Sequence, residues 1–91
     1  MKVYVLSVYG KNPERGFHYV HGVYQTHLKA QNAMEKEYSD VKESARKNGA
    51  QFDDDYDNFG LWYASFAAKG EVPYGDYEAI YCYEIAEVEL E

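Results

Sequence analysis

Apolar and polar positions follow two different rhythms along this chain. In Lys2–Tyr9 (KVYVLSVY) β-branched and aromatic residues dominate and both faces are apolar, which predicts an interior strand. Gly10–Gly16 (GKNPERG) is turn chemistry, with glycine at each end of a segment holding an Asn-Pro pair. Phe17–Tyr24 (FHYVHGVY) reads as a second strand, so the first two form a hairpin. The rhythm then changes to steps of three and four. Ala30, Ala33, Met34, Tyr38, Val41 and Ala45 trace one apolar stripe, the mark of an amphipathic helix. Thr26 can cap its first turn through its hydroxyl. Gly49, after Arg46 and Lys47, sits where a left-handed cap ends a helix with a basic last turn. A helix over about Thr26–Asn48 follows.

The second half is less regular. Leu61–Ala68 (LWYASFAA) fits a helical stripe and a strand alternation alike. The strand is preferred, because Lys69–Asp76 (KGEVPYGD) looks like a loop and a long strand follows it over Tyr77–Leu90. In that last strand Tyr81, Tyr83 and Ile85 share one face, whereas Ala86, Val88 and Leu90 share the other, which predicts a bulge near Ile85–Ala86. The expected architecture is α+β. It is a single domain over 1–91 with order ββαββ, a four-stranded, mostly antiparallel sheet and one long helix on a face. One helix cannot cover both faces. The open face is expected to carry many tyrosines, either wet or pressed against a second copy.

Composition sharpens this picture in three places. The chain has 91 residues, 46% hydrophobic and 27% charged, which is enough for one globular core. Eleven tyrosines are an excess, and tyrosine supplies contact area with a polar tip at interfaces. Cys82 is the single cysteine, so no internal disulfide forms; it is expected to be a small buried hydrophobe in a reducing compartment. The opening MKVYVLSVYG is too short and tyrosine-rich for a secretory apolar region, and no apolar run nears the roughly 20 residues that span a bilayer. A cytoplasmic location is the expectation.

Charge is distributed unevenly. Residues 1–50 hold eight Lys/Arg and five Asp/Glu, a balance of +3. Residues 51–91 hold one lysine, Lys69, and eleven acids, a balance of −10, so the chain carries −7. A phosphate backbone needs cations that the second half lacks, and anionic membranes are excluded on the same ground. The natural complement is a basic protein.

Candidate chemistry concentrates in that acidic half. Asp53, Asp54, Asp55 and Asp57, flanked by Tyr56 and Phe59, place four carboxylates within five residues. They read as a solvated linker, a calcium loop or a partner-binding surface. The EF-hand pattern fails, because its glycine and bidentate glutamate positions fall on Asn58 and Ala64. Along the last strand, Glu87, Glu89 and Glu91 project from one face about 6.5–7 Å apart, close to the spacing of successive phosphates, with Glu84 nearby. Charges on an ordinary edge strand are the plainer account of that tail. His18 and His21 point to opposite faces of a strand, and no second cluster accompanies them, so neither zinc nor any other metal or cofactor is expected. No nucleophile motif or phosphate-cradling loop is present, and an enzyme is the weakest reading. Tyr4, Arg15, Tyr19 and His21 could instead line a site for a planar, nucleotide-like ligand.

One resemblance extends beyond composition. The stretch GVYQTHLKA (Gly22–Ala30), with Tyr83, Ile85 and Leu90 closing the last strand, resembles short hypothetical proteins of phages and bacteria. The shared pattern is strand, cap and helix, and it implies no catalytic residue. The small acidic profile is also similar to phage inhibitors of host defence, the anti-CRISPR and anti-restriction proteins. That likeness implies a non-enzymatic DNA mimic occupying a cationic groove of a nucleic-acid-binding host protein. Asp53, Asp54, Asp55, Asp57, Glu84, Glu87, Glu89 and Glu91 would supply charge, and Tyr56, Phe59 and Tyr74 the buried anchors. A homodimer through the open sheet face is the structural alternative.

Overall fold

Five strands and one helix make up the fold, one strand more than the sequence pattern predicts. The computed structural model describes residues 1–11, 16–72 and 75–91. Strands β1 (Lys2–Lys11) and β2 (Gly16–Tyr24) precede helix α1 (His27–Lys47), and β3 (Gln51–Phe59), β4 (Tyr63–Val72) and β5 (Gly75–Glu89) follow. The sheet order is β2-β1-β5-β4-β3 and every pairing is antiparallel. The α+β class, the hairpin and the single helix stand as expected; ββαββ becomes ββαβββ. β1 is interior, between β2 and β5, as its two apolar faces imply. Among the described residues no helix is long and apolar enough to cross a membrane.

Both helix ends are made by the residues the sequence singles out. Thr26 is extended, and its Oγ1 accepts a hydrogen bond from the Lys29 amide at 3.2 Å. At the other end the Ala50 amide reaches back to the Ala45 carbonyl and the Gly49 amide to the Arg46 carbonyl, each at 3.0 Å. That pair of bonds is the Schellman pattern, and it needs the positive φ of +84° that Gly49 adopts. The apolar stripe faces the sheet. Ala30 and Met34 are fully buried against Leu6, Val8, Phe66, Tyr83 and Ile85, with Tyr38, Val41 and Ala45 packed around them. Small residues Ala64 and Ala68 flank Phe66 on β4, beneath the helix, and Tyr38 meets Phe66 edge-on at 5.5 Å.

Three local readings change. Leu61–Ala68 does give a strand, but β4 runs on to Val72, and Val72 pairs with Gly75, so Lys69–Asp76 is mostly ladder rather than loop. Repeated Gly and Pro look like punctuation in sequence; here cross-strand pairing carries the chain through Gly70. The second change concerns Ile85–Ala86, where β5 stays in unbroken register with β1 from Lys2↔Glu89 to Lys11↔Ile80. No bulge forms there. What switches is the face bearing apolar residues, from the helix side (Tyr83, Ile85) to the open side (Ala86, Val88). Third, tyrosines do not dominate the open face. Tyr4, Tyr19, Tyr24, Tyr81 and Tyr83 share the helix side with Leu6 and Val8 by register, and among the strand tyrosines Tyr9 and Tyr63 take the other side.

Candidate functional site

The acidic run is neither linker nor metal loop: it is edge strand β3. Aspartate is a poor strand former, so propensity does not hold it there. Its apolar ends do. Phe52 meets Phe66 at 5.9 Å and Phe59 meets Tyr38 at 5.5 Å, ring centre to ring centre. Between them the ladder loses step. Asp53 pairs with Ala67 and Asn58 with Ser65, so β3 takes five residue steps while β4 takes two. The surplus forms a bulge that leaves Asp54, Asp55 and Tyr56 exposed. Inside it the Asp55 amide donates to Asp53 Oδ1 at 3.0 Å, and Ser65 Oγ donates to the Tyr56 carbonyl at 2.9 Å. Gln51, Phe52, Asp53, Asp54, Asp55 and Lys69 line an open cleft of about 380 Å³ at its start.

Asp57 behaves differently from its neighbours. Lys42 Nζ lies 2.8 Å from both carboxylate oxygens, and the Tyr38 hydroxyl donates to Oδ1. The Lys42 bond, then the Tyr38 bond, hold the Asp57 carboxyl below the usual carboxylate range. Burial pulls Lys42 down, but its bonds to Asp57 and Tyr38 outweigh that and leave its pKa raised. The ammonium also lies 5.0 Å from the Tyr38 ring centre and 5.2 Å from that of Phe52. Asp57 therefore fastens β3 to α1 and is not available to a partner.

The terminal glutamates do not join the acidic run in one surface. Glu87 accepts from the Tyr4 hydroxyl at 3.1 Å and lies 3.8 Å from Lys2 Nζ, while Glu89 lies 3.2 Å from the Met1 amino group. The hydrogen bond to Glu87 is the first cause of a raised Tyr4 pKa. These carboxylates thus spend their charge within the molecule. Glu84, opposite Ser7 and Tyr63, faces the open side of the sheet, three residues out of phase with Glu87. Glu91 is exposed beyond β5. Asp53 is level with Ile80 through Ala67. Glu87 lies seven residues farther along β5, roughly 23 Å, and two strands across. Tyr56 and Phe59 are on β3 as expected; Tyr74 lies outside the described residues.

The alternative ligand set is also dispersed. Tyr4 is level with Tyr24, whereas Tyr19 is level with Val8, four residues away along β1 or roughly 13 Å. His21 faces the helix, its Nδ1 4.0 Å from Glu37, while His18 is on the opposite face beside Tyr9. Arg15 lies outside the described residues. Cys82 is half-buried and accepts a hydrogen bond from the Tyr63 hydroxyl at 3.4 Å; that bond, ahead of burial, pushes the Tyr63 pKa up to about 12. Among the described residues no three of His, Cys, Asp and Glu converge to hold a metal ion.

One cluster has no forerunner in the sequence pattern. The His27 ring stacks on Trp62 at 3.9 Å, Tyr4 lies 6.2 Å from the same indole, and His27 Nε2 is 2.7 Å from the Leu61 carbonyl. A carbonyl only accepts, so Nε2 carries the proton. The contact joins the first turn of α1 to the β3–β4 turn, 34 residues apart in sequence, and no local signal announces it. No known family model matches this chain, and no curated protein or solved structure is significantly similar to it.

Proposed function

We propose that this chain is a non-enzymatic binding protein whose edge strand β3 engages a basic surface of a protein partner. The observation that carries the reading is the exposed bulge bearing Asp53, Asp54 and Asp55 at the sheet margin, with Lys69 the cation of its cleft. Clustered carboxylates of this kind speed encounter with a cationic surface, while the neighbouring Tyr56, 44% exposed, offers an aromatic anchor. The outer margin of β3 is also a strand edge, and an extended segment of the partner can add to it through main-chain hydrogen bonds. A nucleic-acid-binding host protein is the partner class, and a phage-encoded inhibitor of host defence the setting. Glu84, Glu87, Glu89 and Glu91 contribute long-range field in this reading rather than contacts.

The test is affinity capture from a bacterial lysate with the wild-type chain and with Asp53→Lys/Asp54→Lys/Asp55→Lys. Basic proteins retained by the wild type should be released by competing nucleic acid and by salt, and the triple variant should retain none of them. Equal capture by the folded triple variant removes β3 as the site.

A further inference from the structure

The helix-free face of the sheet carries a continuous valine surface, and we propose that it is the interface of a homodimer. The patch is built by register. Val3 stands opposite Val88, and Val5 stands between Ala86 on one side and Val23 on the other. Val20, opposite Ser7, extends it along β2. Val20 and Val23 are three residues apart and would point to opposite faces of a regular strand. The irregularity in β2, where Gly22 pairs with Leu6 but Val20 with Ser7, takes up His21 as the extra residue and turns both valines to the same side. His21 is thereby aimed at Glu37 on the helix face. Val20, Val23 and Val88 are 57%, 58% and 39% exposed. A contiguous apolar surface of this kind marks an interaction site.

A second copy is the occupant that size and charge select. Ten residues of β1 give about 33 Å of length and five strands about 19 Å of width, so the flat footprint is roughly 600 Å². Side-chain relief brings this near the ~800 Å² of accessible surface per partner that a stable complex needs. A chain carrying −7 can meet its own copy only where charge is sparse. Within the patch there is none, and Glu84 stands at its border beside Ser7. The carboxylates of β3 and the Glu87–Lys2 pair lie elsewhere. A basic partner finds no counter-charge among these valines, whereas a two-fold axis sets valine on valine in a self-complementary contact, with the sheets about 10 Å apart.

This inference is independent of the role of β3, and salt separates the two. Sedimentation equilibrium of the full chain should show a dimer at about 100 μM, tightening as salt rises, since salt screens repulsion between like-charged copies. Capture of a basic partner should weaken with salt instead. Val23→Lys places a lysine on a side chain already exposed in the monomer, and Val5→Lys places one near the patch centre. Each should weaken association at least tenfold with an unchanged circular dichroism spectrum, while the helix-face control Glu35→Lys should not weaken it. A wild-type chain monomeric at about 100 μM in high salt overturns the proposal. So does a Val23→Lys variant that dimerises as tightly as the wild type, whether or not Val5→Lys folds.

Discussion

Replacing Asp57 with asparagine should loosen β3 from the helix while leaving the rest of the sheet intact. The side chains of Lys42 and Asp57 are 24% and 31% exposed, and Nζ meets both carboxylate oxygens at 2.8 Å. Hydrogen bonds to charged groups contribute about 1.5–3 kcal/mol, and fully exposed ion pairs about 0–1. A partly screened pair that also holds the Tyr38 hydroxyl falls between, at about 1–2 kcal/mol. For a domain of this size that is a fall in Tm of roughly 5–15 °C. The pH dependence has a definite sign. Asp57 has a lowered carboxyl pKa, so its contribution is full above the unfolded value near 4 and disappears as pH falls through the folded value. Lys42 has a raised pKa, so its share is complete below the unfolded lysine value near 10.4 and is lost as pH rises through the folded one. The gap between wild type and Asp57→Asn should therefore be flat near neutrality and close in acid. Thermal and urea unfolding with Lys42→Met in a double-mutant cycle would measure a coupling of about 1 kcal/mol. Amide exchange should quicken in β3 and not in β1 or β5. A coupling near zero at pH 7, or a gap that survives in strong acid, refutes the clamp.

Other substitutions test other links. Tyr83 is fully buried and its hydroxyl finds no hydrogen-bond partner among the described residues, so burial leads the causes that raise its pKa. Tyr83→Phe should leave urea stability unchanged or raise it by up to about 2 kcal/mol, and a loss of more than that would reveal a hidden partner. Gly10 faces the opposite demand: a Cβ there would lie 1.8 Å from the Ile80 carbonyl oxygen. Gly10→Ala should cost about 3 kcal/mol or more by shifting the β1–β5 seam, and an unchanged urea midpoint would contradict that close approach.

The parts of the fold legible in sequence are those whose physics is local. The Ala30-to-Ala45 stripe, the Thr26 hydroxyl and the Gly49 cap each act within a turn or two of helix, and all appear where the pattern puts them. β1 shows its interior position because both its faces are apolar. β3 is hidden because nothing in QFDDDYDNF favours a strand; it becomes one through Lys42, fifteen residues earlier, and through Phe52 and Phe59 packing on Phe66 and Tyr38. The phase change at Ile85–Ala86 is plain in sequence, but either a bulge or a second apolar surface would produce it, and only register separates them. The same holds for the acidic groups. Composition reports how much charge the last forty residues carry, and it is silent on which carboxylates are already answered by Lys2, Lys42 and the amino terminus.

The surplus residues between Asp53 and Asn58 loosen the link between recognition chemistry and folding. Pairing with β4 resumes at Asn58 whatever lies in the excursion, so insertions, deletions and wholesale changes of side chain at Asp54, Asp55 and Tyr56 need not propagate into the ladder. Only Asp57 is bound to the scaffold. Natural drift or laboratory selection could therefore retarget this margin of the molecule one residue at a time, with the five-stranded frame as a constant background.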